Sequence, residues 1–133
     1  MIVGFRNNVK LFGVMIILCV IVVGMFELCS RASVSGTYVD LYGRVTHDAN
    51  QNADYAQVVV YNKSSLKRYI TASVKDGNWN TIQSTAANVG YNTSVVLNGV
   101  NVTAYSTVYA HCIVYNSTSP SSGTAETRYE IIK

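Results

Sequence analysis

This chain is short of the residues that brace small folds or break strands. It has one proline and three cysteines in 133 residues. Cys19 and Cys29 fall in or beside an apolar N-terminal stretch, which leaves Cys112 alone in the remainder. A lone thiol closes no intramolecular disulfide, so the fold must be held by an apolar core. About 100 residues can build such a core, at marginal stability. Charge is scarce as well. From Ser33 onward seven Lys and Arg face six Asp and Glu, and basic residues cluster only at Lys63, Lys67 and Arg68, beside a turn. A nucleic-acid binder carries a basic face or stripe. The composition therefore excludes nucleic acid as a partner.

Only one long hydrophobic run is present. Residues 11–26 are uncharged, follow Arg6 and Lys10, and give way abruptly to Ser, Thr, Asn, Tyr and Gly. A positive start, an apolar middle and small residues beyond are the pattern of an export signal. Residues 1–32 thus predict a signal peptide or signal anchor, with a hydrophobic helix at its centre. Sixteen residues at roughly 1.5 Å each span about 24 Å, less than a membrane-crossing helix usually needs. That favours a cut before Ser33, with Ser30 and Ala32 as the small residues at −3 and −1. If residues 11–28 are instead retained, Arg6 and Lys10 stay inside and residues 33–133 face out. Neither Cys19 nor Cys29 follows the small residue that lipoprotein processing requires. Either way the expected location is extracytoplasmic: secreted, or membrane-anchored with the membrane touched only through residues 11–28.

Alternation organises the rest. Val39, Leu41 and Val45 alternate with Tyr38, Asp40, Tyr42 and Arg44; Ala56, Val58 and Val60 with Tyr55, Gln57 and Tyr61; Ile70, Ala72 and Val74 with Tyr69, Thr71 and Ser73. Between Val100 and Tyr115 the even positions are mostly apolar and the odd ones mostly polar or aromatic. A period of two puts one set on a core face and the other outside. Asn98-Gly99 between Leu97 and Val100 reads as a two-residue hairpin turn that brings Val95, Leu97, Val100 and Val102 to the core. A bend is expected near Ser106. Trp79, after the turn at residues 76–78, is expected to anchor in the core, and residues 86–92 read as loop. YAQVVVYNKS at 55–64 returns as YAHCIVYNST at 109–118, and Arg68-Tyr69 returns as Arg128-Tyr129. This suggests an internal β-hairpin repeat, 55–74 and 109–132. Six to eight short strands with these turns predict an all-β domain over 33–133: a small antiparallel β-sandwich, immunoglobulin-like, or a barrel.

Chemistry-bearing residues are few. His111 and Cys112 are adjacent, but neighbours on a strand point to opposite faces, so the imidazole cannot activate that thiol. Cys112 reads as a small buried hydrophobe and His111 as a surface residue. His47, Asp48 and His111 lack the spacing that zinc ligands show. The carboxylates form no locally placed pair for acid/base work, so no enzyme, catalytic residue, metal or cofactor is expected. Four N-x-S/T tripeptides begin at Asn62, Asn92, Asn101 and Asn116.

What remains is tyrosine, ten in all. Most fall on the polar parity of their strands, where rings offer flat apolar surface with a hydrogen-bonding tip. Tyr38, Tyr42, Tyr105, Tyr109, His111 and Tyr115 are the candidate ligand-binding residues. The expected function is a non-catalytic exported binding module acting on a protein or glycan at the cell surface or in the medium. One build, an export segment followed by a small Tyr-rich β domain, resembles the lactococcin-type secreted bacteriocins, although no defining residue aligns. That resemblance implies a secreted antibacterial protein or toxin as the alternative. A membrane-tethered structural component is the third expectation.

Overall fold

A computed structural model describes residues 29–133. The expected N-terminal helix lies outside the described residues. Eight strands follow: β1 (Cys29–Ser35), β2 (Val39–Asp48), β3 (Ala53–Asn62), β4 (Arg68–Asp76), β5 (Thr81–Val89), β6 (Thr93–Asn101), β7 (Val108–Tyr115) and β8 (Thr124–Ile131). They form two antiparallel four-stranded sheets, ordered β1-β2-β3-β6 and β5-β4-β7-β8. The chain is an all-β protein with a β-sandwich arrangement; among the described residues neither sheet closes into a barrel.

The period of two explains the core. Val39, Leu41 and Val45 of β2 and Ala56, Val58 and Val60 of β3 are buried together with Ile70, Ala72 and Val74 of β4. Val108, Ala110, Cys112 and Val114 of β7 join the same cluster. Burying each such Val, Leu or Ile contributes roughly 1.5–3 kcal/mol. The sheets come close at Gly43. A Cβ there would stand 2.5 Å from Ile132 Cγ2 and 2.7 Å from the Ala110 methyl. The missing side chain makes room for Ile132, just beyond β8, which is fully buried.

Two polar residues lock elements together. Asn62, 0 % exposed, donates through Nδ2 to the carbonyls of Leu66 (2.9 Å) and Val89 (2.8 Å), tying the end of β3 to the opposite sheet. Glu126 of β8 accepts the N–H groups of Thr37 and Tyr38, each at 2.8 Å, and pairs with Arg128 at 2.6 Å. Burial alone would raise its carboxyl pKa, but the Tyr38 and Thr37 amides and Arg128 hold it below the usual range. The proton-free form is therefore favoured by folding, and this stability is lost as pH falls through the lowered value.

The fold departs from the sequence reading at several points. Asn98-Gly99 is no hairpin turn: it lies within β6. Ala56 pairs with Val100 and Val58 with Leu97, so two residues stand opposite Gln57 in a bulge, and Gly99 supplies φ +69°. Three apart, Leu97 and Val100 would face opposite ways in a regular strand; the extra residue turns both inward. Residues 86–89 belong to β5, not to a loop, because pairing with β4 orders a strand whose side chains are mostly exposed. β3 and β4 sit in different sheets, so the first copy of the repeated sequence is an inter-sheet crossing, whereas the second, β7–β8, is a paired hairpin. The expected boundary before Ser33 falls inside β1, all seven residues of which pair with β2. Arg68, which the sequence places in a basic cluster beside a turn, is buried, 4.3 Å over the Tyr38 ring, and donates to the carbonyls of Tyr115 and Asn116.

Candidate functional site

The same alternation that buries Ala110 and Cys112 sends Tyr109 and His111 to the outer face of the β5-β4-β7-β8 sheet. Register then sets their neighbours. Lys75, Tyr109 and Ile131 form one row across β4, β7 and β8, and Ser73, His111 and Tyr129 form the next. Onto these rows folds Trp79, from the β4–β5 turn. Its indole stacks on Tyr109 with centroids 4.9 Å apart and planes at 15°. It meets Tyr129 edge-on at 5.1 Å and His111 edge-on at 6.0 Å. Tyr109 and Tyr129 complete the cluster at 6.4 Å.

The expectation that Trp79 anchors in the core is overturned, and the reason is the turn. Asp76 Oδ1 accepts the N–H groups of Asn78 and Asn80, both at 2.9 Å, and the Trp79 N–H donates to the Asp76 carbonyl at 3.0 Å. Desolvation pushes the Asp76 carboxyl up, yet the Asn80 side chain and the Asn80 and Asn78 amides bring it below its ordinary value. Lys75 Nζ holds the far side through the Trp79 carbonyl (3.3 Å) and Thr81 Oγ1 (3.0 Å). Trp79 takes φ +66°, a left-handed conformation that bulky residues rarely adopt. Such strain costs on the order of 1–3 kcal/mol. The ring is nevertheless 44 % exposed, and Tyr129 is 56 % exposed. Full burial is thus not what the strained turn achieves.

His111 forms the floor of the cluster and, contrary to expectation, is only 8 % exposed. Trp79 roofs it, and Ser73 Oγ lies 3.0 Å from its Nδ1. Burial first, and the positive charge of Lys75 second, hold its pKa below the ordinary value, so the ring is neutral near pH 7. No buried side-chain N or O among the described residues lacks a hydrogen-bond partner. Among the described residues Nε2 makes no hydrogen bond.

Of the six candidate residues, only Tyr109 and His111 come together here. Tyr115 lies six residues along β7, about 20 Å away, edge-on to Tyr69 at 5.6 Å. Tyr42 is exposed on the other sheet. Tyr38 and Tyr105 do not face solvent with the others; both pack against the core, Tyr38 beneath Arg68 and Tyr105 in the connection from β6 to β7. Trp79 and Tyr129 were missed as site residues. The echo of Arg68-Tyr69 in Arg128-Tyr129 singled out Tyr129's strand, but no local signal tells which ring lies beside which.

Other reactive groups are occupied elsewhere. Cys112 is buried and its thiol is pushed up to about 12 by desolvation, so it remains protonated. His47 Nδ1 sits 2.7 Å from Asp54, on the other sheet from His111. Among the described residues no three His, Cys, Asp or Glu side chains gather as metal ligands. Of the four N-x-S/T asparagines, Asn62 is sealed in the interior by its own hydrogen bonds, while Asn92, Asn101 and Asn116 are exposed. No protein-family model, curated protein or solved structure matches this chain.

Proposed function

We propose that the protein is an exported, non-catalytic binding module whose ligand is a glycan, stacked on the platform of Trp79, Tyr109 and Tyr129. The carrying observation is Trp79: a strained backbone holds a large ring half open to solvent, above a nearly buried imidazole. Flat rings with polar groups at their margin suit the apolar faces and hydroxyls of a sugar, and strain of this kind gathers at functional sites. The non-catalytic reading is supported by the state of the possible nucleophiles. Cys112 is held as a thiol in the core, and the Ser73 hydroxyl is buried beneath the rings. An immunoglobulin-like classification is supported by strand order: β2-β3-β6 facing β5-β4-β7-β8 reproduces A-B-E facing C′-C-F-G, with β1 as an additional edge strand.

Trp79 is the chain's only tryptophan, so its fluorescence reports on the platform directly. Titration of the full chain against a panel of neutral oligosaccharides is expected to shift that emission saturably. Trp79→Ala, followed by calorimetry, is expected to abolish binding with Tm changed by a few degrees at most. A panel that leaves emission unmoved, or a variant that binds as before, refutes the platform.

A second reading, that residues 11–28 stay attached as a tether, is supported by β1. A cut before Ser33 would remove Cys29 to Ala32 and uncover the β2 edge opposite them, at Gly43 to Thr46. The expected species is a full-length chain in the membrane fraction; intact mass showing a chain beginning at Ser33 in the medium contradicts it.

A further inference from the structure

We infer a second binding site on the outer face of the β1-β2-β3-β6 sheet, for the carboxylate of an acidic sugar unit. Arg31 of β1 and Arg44 of β2 stand directly opposite each other, both exposed. Like charges in directly opposed positions of an antiparallel pair repel and destabilise it. Among the described residues no acidic side chain pairs with either arginine. The ion pairs among the described residues are His47–Asp54, Lys63–Asp40, Arg128–Glu126 and Lys133–Asp54, none of which involves either arginine. Asp40 and Asp48 lie four residues from Arg44 along β2, about 13 Å in either direction. Asp40 is held by Lys63 and Ser35, and Asp48 by the turn amides of Asn50 and Gln51.

The arginines also line a depression. A groove of about 420 Å³ is bounded by Arg31, Ser33, Tyr42, Arg44, Gln57 and Val59, within the range of small-ligand sites. The charge is local: two guanidinium groups amid neutral hydrogen-bonding side chains, with a Tyr42 ring 48 % exposed beside them. Two adjacent planar forks present donors suited to the oxygens of one carboxylate. Tyr42 offers a ring for the pyranose, and Ser33 and Gln57 offer partners for its hydroxyls. A single doublet of charge fits one anionic unit in a chain and lacks the stripe a nucleic acid needs. This site needs Arg31 and so rests on β1 remaining whole; it is independent of the Trp79 platform.

The test uses the full-length chain in a neutral detergent, so that Arg31 is present. Oligogalacturonate, dextran, sulfated dextran and inorganic sulfate are titrated by calorimetry at low and high salt. Oligogalacturonate is expected to bind in a salt-sensitive manner and dextran not at all. R31Q and R44Q are each expected to lose at least tenfold in affinity, with the double variant little worse than either, since one anion needs both forks. The R31K/R44K chain retains both charges, serves as the folding control, and is expected to bind more weakly than the parent. Trp79→Ala is expected to leave this binding intact, which separates its failure from failure of the platform. Undiminished binding by the double glutamine variant, equal binding of dextran, or preference for sulfated dextran overturns the inference. So does full affinity in the lysine variant.

Discussion

β3 and β7 carry nearly the same residues, YAQVVVYN and YAHCIVYN, at the centres of opposite sheets. Their inner faces behave identically: Ala56, Val58 and Val60 are as buried as Ala110, Cys112 and Val114. Their outer faces do not. Tyr55, at the start of one copy, reaches back to Gln51 in its own hairpin, while Tyr109 lies under Trp79. Gln57 is half-buried opposite a bulge, while His111 is roofed and nearly sealed. The closing asparagines diverge most, since Asn62 is buried and Asn116 is exposed. One sequence thus yields one core face but two different surfaces. Inner positions need only be apolar and small, whereas outer positions take their character from whichever strand or turn lies beside them.

The asparagines offer the sharpest break in this symmetry. Asn62→Ala removes the side-chain donor of the buried Val89 carbonyl, while the Leu66 carbonyl keeps Ser64 Oγ at 3.0 Å, and is expected to cost up to about 3 kcal/mol, since a buried group left unpaired costs about 1–3 kcal/mol. In thermal melts that corresponds to a loss on the order of 15 °C for a domain of this size. Asn116→Ala loses one exposed bond to the Ser122 carbonyl and is expected to cost under about 1 kcal/mol. Equal losses at the two sites would mean that the repeat, not the surroundings, sets their roles.

A smaller difference is expected between the tyrosines. Tyr109→Ala removes the ring beneath Trp79, and a stacked pair of this type adds about 0.5–1.5 kcal/mol beyond its area. Tyr55→Ala loses a partly exposed bond to Gln51 and should cost less in denaturant titrations. Only the first should blue- or red-shift the tryptophan emission. A silent Tyr109 variant would dissolve the proposed platform.

The smallest effect separates His111 from Gln57 and appears only in acid. The folded-state pKa of His111 is depressed, so the folded protein binds fewer protons than the unfolded chain below the ordinary value near 6.5. Its contribution to stability is present above that value and is lost as pH falls through the depressed one. His111→Gln, which copies the residue of the first strand, should flatten the pH dependence of Tm just below the ordinary histidine value of about 6.5. It should leave the steeper loss due to Glu126 at lower pH. An unchanged profile would show that the imidazole is not sealed as described.

The core was legible because alternation is a local property: Val39 to Val45, Ala56 to Val60 and Ile70 to Val74 declare their inward positions within a few residues. The errors arose where one signal serves two structures. A glycine that takes positive φ closes a hairpin or opens a bulge, and Asn98-Gly99 does the second because β3 passes beside it. β5 showed no period since most of its side chains face solvent, and its order comes from main-chain pairing with β4. Trp79 looked like a core residue by size alone. The Asp76 turn instead lifts it onto the outer face.

By itself, then, the sequence determined that residues beyond the apolar N-terminal run form antiparallel strands with one buried face, because a two-residue period and apolar side chains leave the chain no other economical way to bury them. It also determined that Cys112 lies inside, on the same parity as its valine neighbours. The tertiary structure alone decided which strand joins which sheet, that Tyr109, His111, Trp79 and Tyr129 meet while Tyr42 and Tyr115 stand apart, and that Arg31 faces Arg44. Apart from Tyr109 and His111, two residues apart on β7, those neighbours are separated along the chain by 13 to 50 residues. Their meeting depends on strand register and sheet order, which are set by the packing of the whole molecule and not by any local pattern.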